Sequence, residues 1–268
     1  MSSLINSNLQ LLSLVPLALT FSIFVSTAVG WYFGRSRLKK HGKDSIVVRD
    51  FLVTAIFGLS ALVLGLTFSG STSRYVSRMD MNRIQAQTLQ EVYGSLKYLS
   101  PSDQVEIKRS LNELVALRLT IYKNINDISD LEVGSKKILN ITRKIQEQVT
   151  EAVSRTSPNN KLLAQEVLIP QVRSLASSFF TGIINAKSHP PELLMRFLFA
   201  LLCIGAFLIG YTMVVKNEID WLLATLYTVL VGFSLYVILA MEAPNLLMPY
   251  EEMNRDFLLL HNTIKAAS

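Results

Sequence analysis

Four stretches of this chain, at about residues 11–33, 51–69, 197–215 and 221–241, contain no Asp, Glu, Lys, Arg or His. At about 1.5 Å of rise per residue, each reaches about 28–34 Å as a helix, matching a hydrocarbon core of about 30 Å. A backbone in lipid has to satisfy its own hydrogen bonds, and a helix does so. The pattern predicts an integral membrane protein that crosses the bilayer several times.

Composition agrees once it is divided along the chain. Of the 268 residues, 17% are charged, against about 25% in an average soluble domain, and the deficit falls in the four apolar stretches. The net charge of +6 reads as basic residues at membrane edges, where headgroups favour them, and not as a nucleic-acid interface. The single cysteine, Cys203, lies in the third stretch and has no internal partner for a disulfide. The first stretch does not read as a signal peptide, because residues 1–10 carry no charge. It ends in Trp31 and Tyr32, an aromatic pair suited to a membrane boundary.

The expected fold is all-α, with four transmembrane helices in two hairpins and a helical-bundle insert between the second and third. The boundaries are 1–73 for the first hairpin, 74–191 for the insert, 192–244 for the second hairpin and 245–268 for a C-terminal tail. The insert is poor in glycine, and its apolar residues recur at three and four. One helix continues out of the second span to about Tyr98, and Ser100-Pro101-Ser102 breaks it, with Ser102 as the expected cap of the next. That next helix runs to about Asn124 on a stripe that includes Leu111, Leu114 and Leu119. A third covers about 131–155, and a fourth carries Leu168, Val172, Leu175 and Phe179, with Pro170 expected to kink it. The loop at 34–50 carries Arg35, Arg37, Lys39, Lys40, Lys43 and Arg49 against Asp44 and Asp50. This positive excess argues for a cytoplasmic loop, which puts the insert outside.

The second span holds the most distinctive residues. Gly58, Ala61 and Gly65 put small side chains near one helix face, which suits close helix packing within the chain, a symmetric subunit contact or a pore wall. Phe57, Leu64 and Phe68 are candidates for a hydrophobic pore or gate. Ser69, Ser71, Thr72, Ser73 and Arg74 form a hydroxyl-rich collar that suits an anion, although such a collar is more often an ordinary headgroup-level boundary. Further on, one of Gln85 and Gln87 is expected at a buried helix contact. Arg118 reads as a rim residue with Glu113 as its ion-pair partner. No span holds an ionisable residue at depth, which argues against an ion-coupled transporter. His41, His189 and His261 are far apart, and no metal-ligand spacing, phosphate loop or nucleophile elbow appears. The sequence therefore predicts no enzyme and no cofactor.

The run Gly58-Leu59-x-Ala61-Leu62-x-Leu64-Gly65-x-Thr67-Phe68-Ser69, followed by Arg74 and then Gln85-Ala86-Gln87, resembles a bacterial bestrophin-like membrane family catalogued as a domain of unknown function. The Leu99-Ser100-Pro101 break and the segment through Tyr122 are similar too, and Glu242-Ala243-Pro244 is a looser match to the turn after that family's last span. The likeness covers most of residues 1–245 and rests chiefly on 55–101. It implies a four-span helical protein akin to bestrophins, which are pentameric anion channels with their large helical part in the cytoplasm. That placement opposes the one from loop charge, and both stand open here. The expected function is a homo-oligomeric ion channel with anion preference in the cell inner (plasma) membrane, in contact with the lipid bilayer, copies of itself and inorganic anions, and not with nucleic acid. The alternative is a non-conducting scaffold or sensor whose insert binds a partner.

Overall fold

The computed structural model describes residues 14–41, 50–123, 128–217 and 220–266, and every regular element among them is helical. The uncharged N-terminus, residues 42–49 of the expected 34–50 loop, part of the turn expected near 126–130 and the Glu218-Ile219 step lie outside the described residues, while 34–41, expected in that loop, continue the first helix. The long helices are α1 (Val15–His41), α2 (Asp50–Ser95), α3 (Pro101–Lys123), α4 (Ile128–Arg155), α5 (Pro158–Ala186), α6 (Glu192–Val215) and α7 (Trp221–Glu242). Three shorter helices follow: α8 (Pro244–Leu247), α9 (Tyr250–Met253) and α10 (Arg255–Ala266).

Five helices, α1, α2, α5, α6 and α7, are long and apolar enough to cross a membrane, one more than the sequence reading allows. The addition is α5, whose best window has a mean hydropathy of 1.3, against 2.3, 2.4 and 2.2 for α2, α6 and α7. Its apolar residues Leu168, Val172, Leu175 and Phe179 are buried in a protein core.

The described residues form two compact units. The span unit comprises 14–74 and 189–247; the bundle unit comprises 75–188 and 248–266. Helix α2 contributes its first half to one and its second half to the other. In the span unit α1 lies directly against α6. A Cβ on Gly30 would stand 2.0 Å from the Phe207 carbonyl oxygen, and one on Gly210 would stand 1.9 Å from that of Thr27. Glycine at these two positions lets the backbones touch, which is how helices gain packing energy when lipid supplies no hydrophobic drive. Ile23, Val63, Leu198, Leu202 and Leu235 fill the centre. The buried hydroxyls of Thr27, Ser60, Thr67 and Thr228 each donate to the carbonyl four residues back, so none is left unsatisfied.

The bundle unit is built like a soluble core, with Leu89, Leu111, Leu114, Ile145, Leu175 and Phe257 wholly or almost wholly buried. Two expectations about single side chains are corrected in it. The cap of α3 is Ser100, not Ser102: its Oγ accepts from the Asp103 amide at 3.3 Å and donates to Asp103 Oδ2 at 2.7 Å. Pro101 then takes the first helical position, where a fixed φ and a missing N–H cost nothing. Bonds from Arg155 and then from Ser100 hold the Asp103 carboxyl below its ordinary range. Around Pro170 the chain adopts a wider π-turn at Ala164–Leu168, which absorbs the amide that proline lacks. Arg118 is buried, not on a rim. Its guanidinium donates to Asn254 Oδ1 at 3.0 Å and Asn82 Oδ1 at 2.9 Å and lies 4.9 Å over the Phe257 ring. Glu113 pairs instead with Lys144, at 3.9 Å.

The same contacts bring residues 248–266, read above as a tail, into the bundle. Asn82 Nδ2 donates to the Met253 carbonyl at 3.1 Å, and the Tyr250 hydroxyl donates to that of Leu119 at 3.1 Å. Replacing Arg118 by alanine strips one buried amide, one half-buried amide and an aromatic face of their shared partner. Arg118→Ala is expected to cost about 3 kcal/mol in unfolding of the detergent-solubilised protein. Exposed Arg109→Ala should stay within about 0.5 kcal/mol.

Candidate functional site

In the span unit, α2 turns two unlike faces outward and inward. The inward stripe is Ser60, Val63, Thr67 and Ser71, all buried. Opposite lie Gly58, Ala61, Gly65, Ser69 and Ser73, all exposed, with Thr54 one turn before them. At 100° per residue these fall along one side of the helix. Among the described residues, no atom lies within 4 Å of a Cβ built on Gly58 or Gly65, so these small residues do not pack against another described helix of the chain. The close helix contact within the chain is instead the one between α1 and α6.

The three candidate gate residues part company. Phe57 sits edge-on to Tyr227 at 5.8 Å and 3.3 Å from the position of a Cβ on Gly205, so it fills a gap inside the unit. Leu64 packs on the span core. Phe68 is exposed, beside the small-residue line.

The collar also divides. Ser69 and Ser73 extend the exposed line, whereas Ser71 turns inward and accepts from Arg74 Nη2 at 3.3 Å. The Thr72 hydroxyl donates back to the Phe68 carbonyl at 2.9 Å. The expectation that Arg74 offers a free positive field to an anion is corrected. Its Nε and Nη2 both donate to Glu242 Oε1, at 2.8 and 2.6 Å. His189 Nδ1 lies 3.9 Å from the other oxygen of the same carboxylate. The pair ties the exit of α2 to the end of α7. Its signal stood in the sequence unread, since Arg74 and Glu242 are each the first charge beyond an apolar stretch. His189 carried no such signal.

In the bundle unit Gln85 is the buried member of the glutamine pair. Its Nε2 donates to the Ser178 carbonyl at 3.1 Å, in the space left by Gly182, where a Cβ would come within 2.2 Å of it. Gln87 is exposed, on a groove it lines with Arg83, Gln90, Lys108, Arg109 and Leu260.

These features define a helical, multi-pass membrane protein whose spans close on themselves through glycine contacts and an end-on ion pair. Its fold is that of the bacterial bestrophin homologues. A crystal structure of such a homologue from Klebsiella pneumoniae is similar at a TM-score of 0.60 and 13% identity, over 90% of this chain and 98% of that one. A second variant of the Klebsiella pneumoniae homologue gives 0.61 and 12%, over 92% and 96%. A further solved membrane protein gives 0.58 and 15%, over 93% and 96%. The sequence matches no family model and no curated protein.

Removing one partner of the Arg74–Glu242 pair leaves a charge facing the interior of the span unit. Arg74→Met is expected to destabilise the solubilised protein by about 2 kcal/mol, and Arg74→Met with Glu242→Leu by less. A thermal-unfolding cycle over the four proteins reads the coupling.

Proposed function

We propose that this chain is one subunit of a homo-oligomeric ion channel with anion preference, which crosses the inner (plasma) membrane of the cell four times, through α1, the first half of α2, α6 and α7. The observation that carries the reading is the α2 line of Gly58, Ala61, Gly65, Ser69 and Ser73, which is exposed although it lies on an apolar span. Small groups and hydroxyls suit a path that copies of the chain enclose together, where bulk closes the way and hydroxyls replace lost hydration. Phe68 flanks that line as a hydrophobic constriction. Ser69 and Ser73 keep the anion-collar role, while Arg74 and Ser71 serve to hold α2 in place. Helix α5 is assigned to the bundle, because its apolar face is already buried there. The likeness to bestrophin homologues supports the channel reading at the level of fold.

The insert is placed in the cytoplasm, as in bestrophins, against the charge of the 34–50 loop. A single cysteine in the insert, in a Cys203→Ser background, should react with an impermeant thiol reagent only after cells are opened. Labelling of intact cells reverses the assignment.

Purified protein in planar bilayers should carry chloride current. Gly65→Leu should abolish most of it, and Ser69→Asp should lower anion over cation permeability by placing a like charge on the path. Absence of current over a wide voltage range defeats the reading. It would leave the scaffold alternative, for which the open groove at Arg83, Gln87 and Arg109 is the supporting feature.

A further inference from the structure

The two ends of the span unit match their charges differently. At the end where the chain leaves at Arg74 and returns at His189, Arg74 pairs with Glu242 at 2.6 Å and Arg196 with Glu192 at 2.5 Å. The opposite end is marked by a Lys216–Asp50 bridge of 2.6 Å. There α1 carries Arg35, Arg37, Lys39 and Lys40 in its last turns, all exposed. Among the described residues, no carboxylate is ion-paired with any of the four. Asp220, at the same end, is engaged as the cap of α7, accepting from the Leu223 amide at 3.0 Å.

Two of these cations meet aromatic side chains. Arg35 lies 5.2 Å over the Trp31 ring, and Trp31 meets Trp221 at 6.0 Å. Arg37 Nη1 donates to the Tyr211 hydroxyl at 3.5 Å, beside the Phe33 and Phe207 rings. Trp31, Arg35 and Lys39 recur every four residues and so share a face of α1. The residues next to the two tryptophans are apolar and open: Tyr32 is 72% exposed and Leu222 74%. A free inorganic anion answers the cations but makes no use of the apolar surface beside them. An anionic lipid answers both, with its phosphate at the level of the cations and its chains along the rings.

We propose that the Arg35–Lys40 end of α1, together with Trp31 and Trp221, binds an anionic phospholipid, its phosphate held by Arg35 and Lys39. The residues that hold the phosphate and the two indoles are on α1 and α7, and their role does not depend on conduction. It also gives the basic residues here a use other than setting orientation.

The chain has two tryptophans, and both are in this cluster, so indole fluorescence reports on it alone. The full-length protein is placed in phosphatidylcholine vesicles in which part of the lipid is replaced by brominated phosphatidylglycerol or by brominated phosphatidylcholine. The brominated anionic lipid should quench at a lower mole fraction, with a preference of about fivefold or more, the gain typical of one cation near an anionic surface. Raising salt to about 0.5 M should reduce that preference. The triple variant Arg35→Gln, Lys39→Gln, Lys40→Gln should bring it to about one, and the salt titration on the unaltered protein decides the matter should that variant not fold. Equal quenching by the two lipids overturns the proposal. So does a preference that survives high salt and the triple substitution, or one abolished by millimolar glycerol phosphate, which would assign a free-anion site instead.

Discussion

Contact between bare backbones at Gly30 and Gly210 is the interaction on which the span unit depends. In water, apolar side chains drive helices together; among lipid tails they have no such preference, and closeness of approach has to supply the attraction. With a Cβ at either glycine the carbonyl of the facing helix stands in the way, so α1 and α6 meet there or separate. Once they meet, Ile23, Leu198 and Leu202 close the centre. The hydroxyls of Thr27 and Thr67 can then be buried, because each bonds within its own helix.

Charge is kept to the ends of this unit and used differently at each. Where α2 leaves the span unit and α7 ends, Arg74 and Glu242 meet in a partly buried pair with His189 beside it. Such a pair fixes geometry more than it adds stability, because desolvation offsets much of the attraction. At the other end, no carboxylate among the described residues pairs with the cations of α1, and Arg35 and Arg37 meet aromatic side chains. The α2 helix thereby presents two surfaces with separate uses. One is anchored by Ser71 and Arg74, and the other, from Gly58 to Ser73, is exposed and packs on no helix among the described residues.

The bundle unit obeys the rules of water. Its core is apolar, and its one deeply buried arginine among the described residues, Arg118, is surrounded by amide oxygens and a ring face. Those groups come from α2, from the residue after α9 and from α10, so a single side chain joins segments far apart in sequence. The Gln85–Ser178 bond beside Gly182 makes a similar join between α2 and α5.

The sequence by itself determined that the chain is helical and lives in a membrane, because the length of a charge-free run and a period near 3.6 are local properties that no packing can undo. It also marked α2 as the distinctive span and pointed to one buried glutamine. Tertiary structure alone decided which small residues pack and which stay open. Gly58 and Gly65 look no different in sequence from Gly30 and Gly210, yet only the latter meet a facing backbone. It decided as well that Arg74 is neutralised, that Arg118 is interior and that residues 248–266 belong to the bundle. Each of these depends on a partner more than 100 residues away along the chain, and pairing at that distance leaves no periodic trace in the sequence.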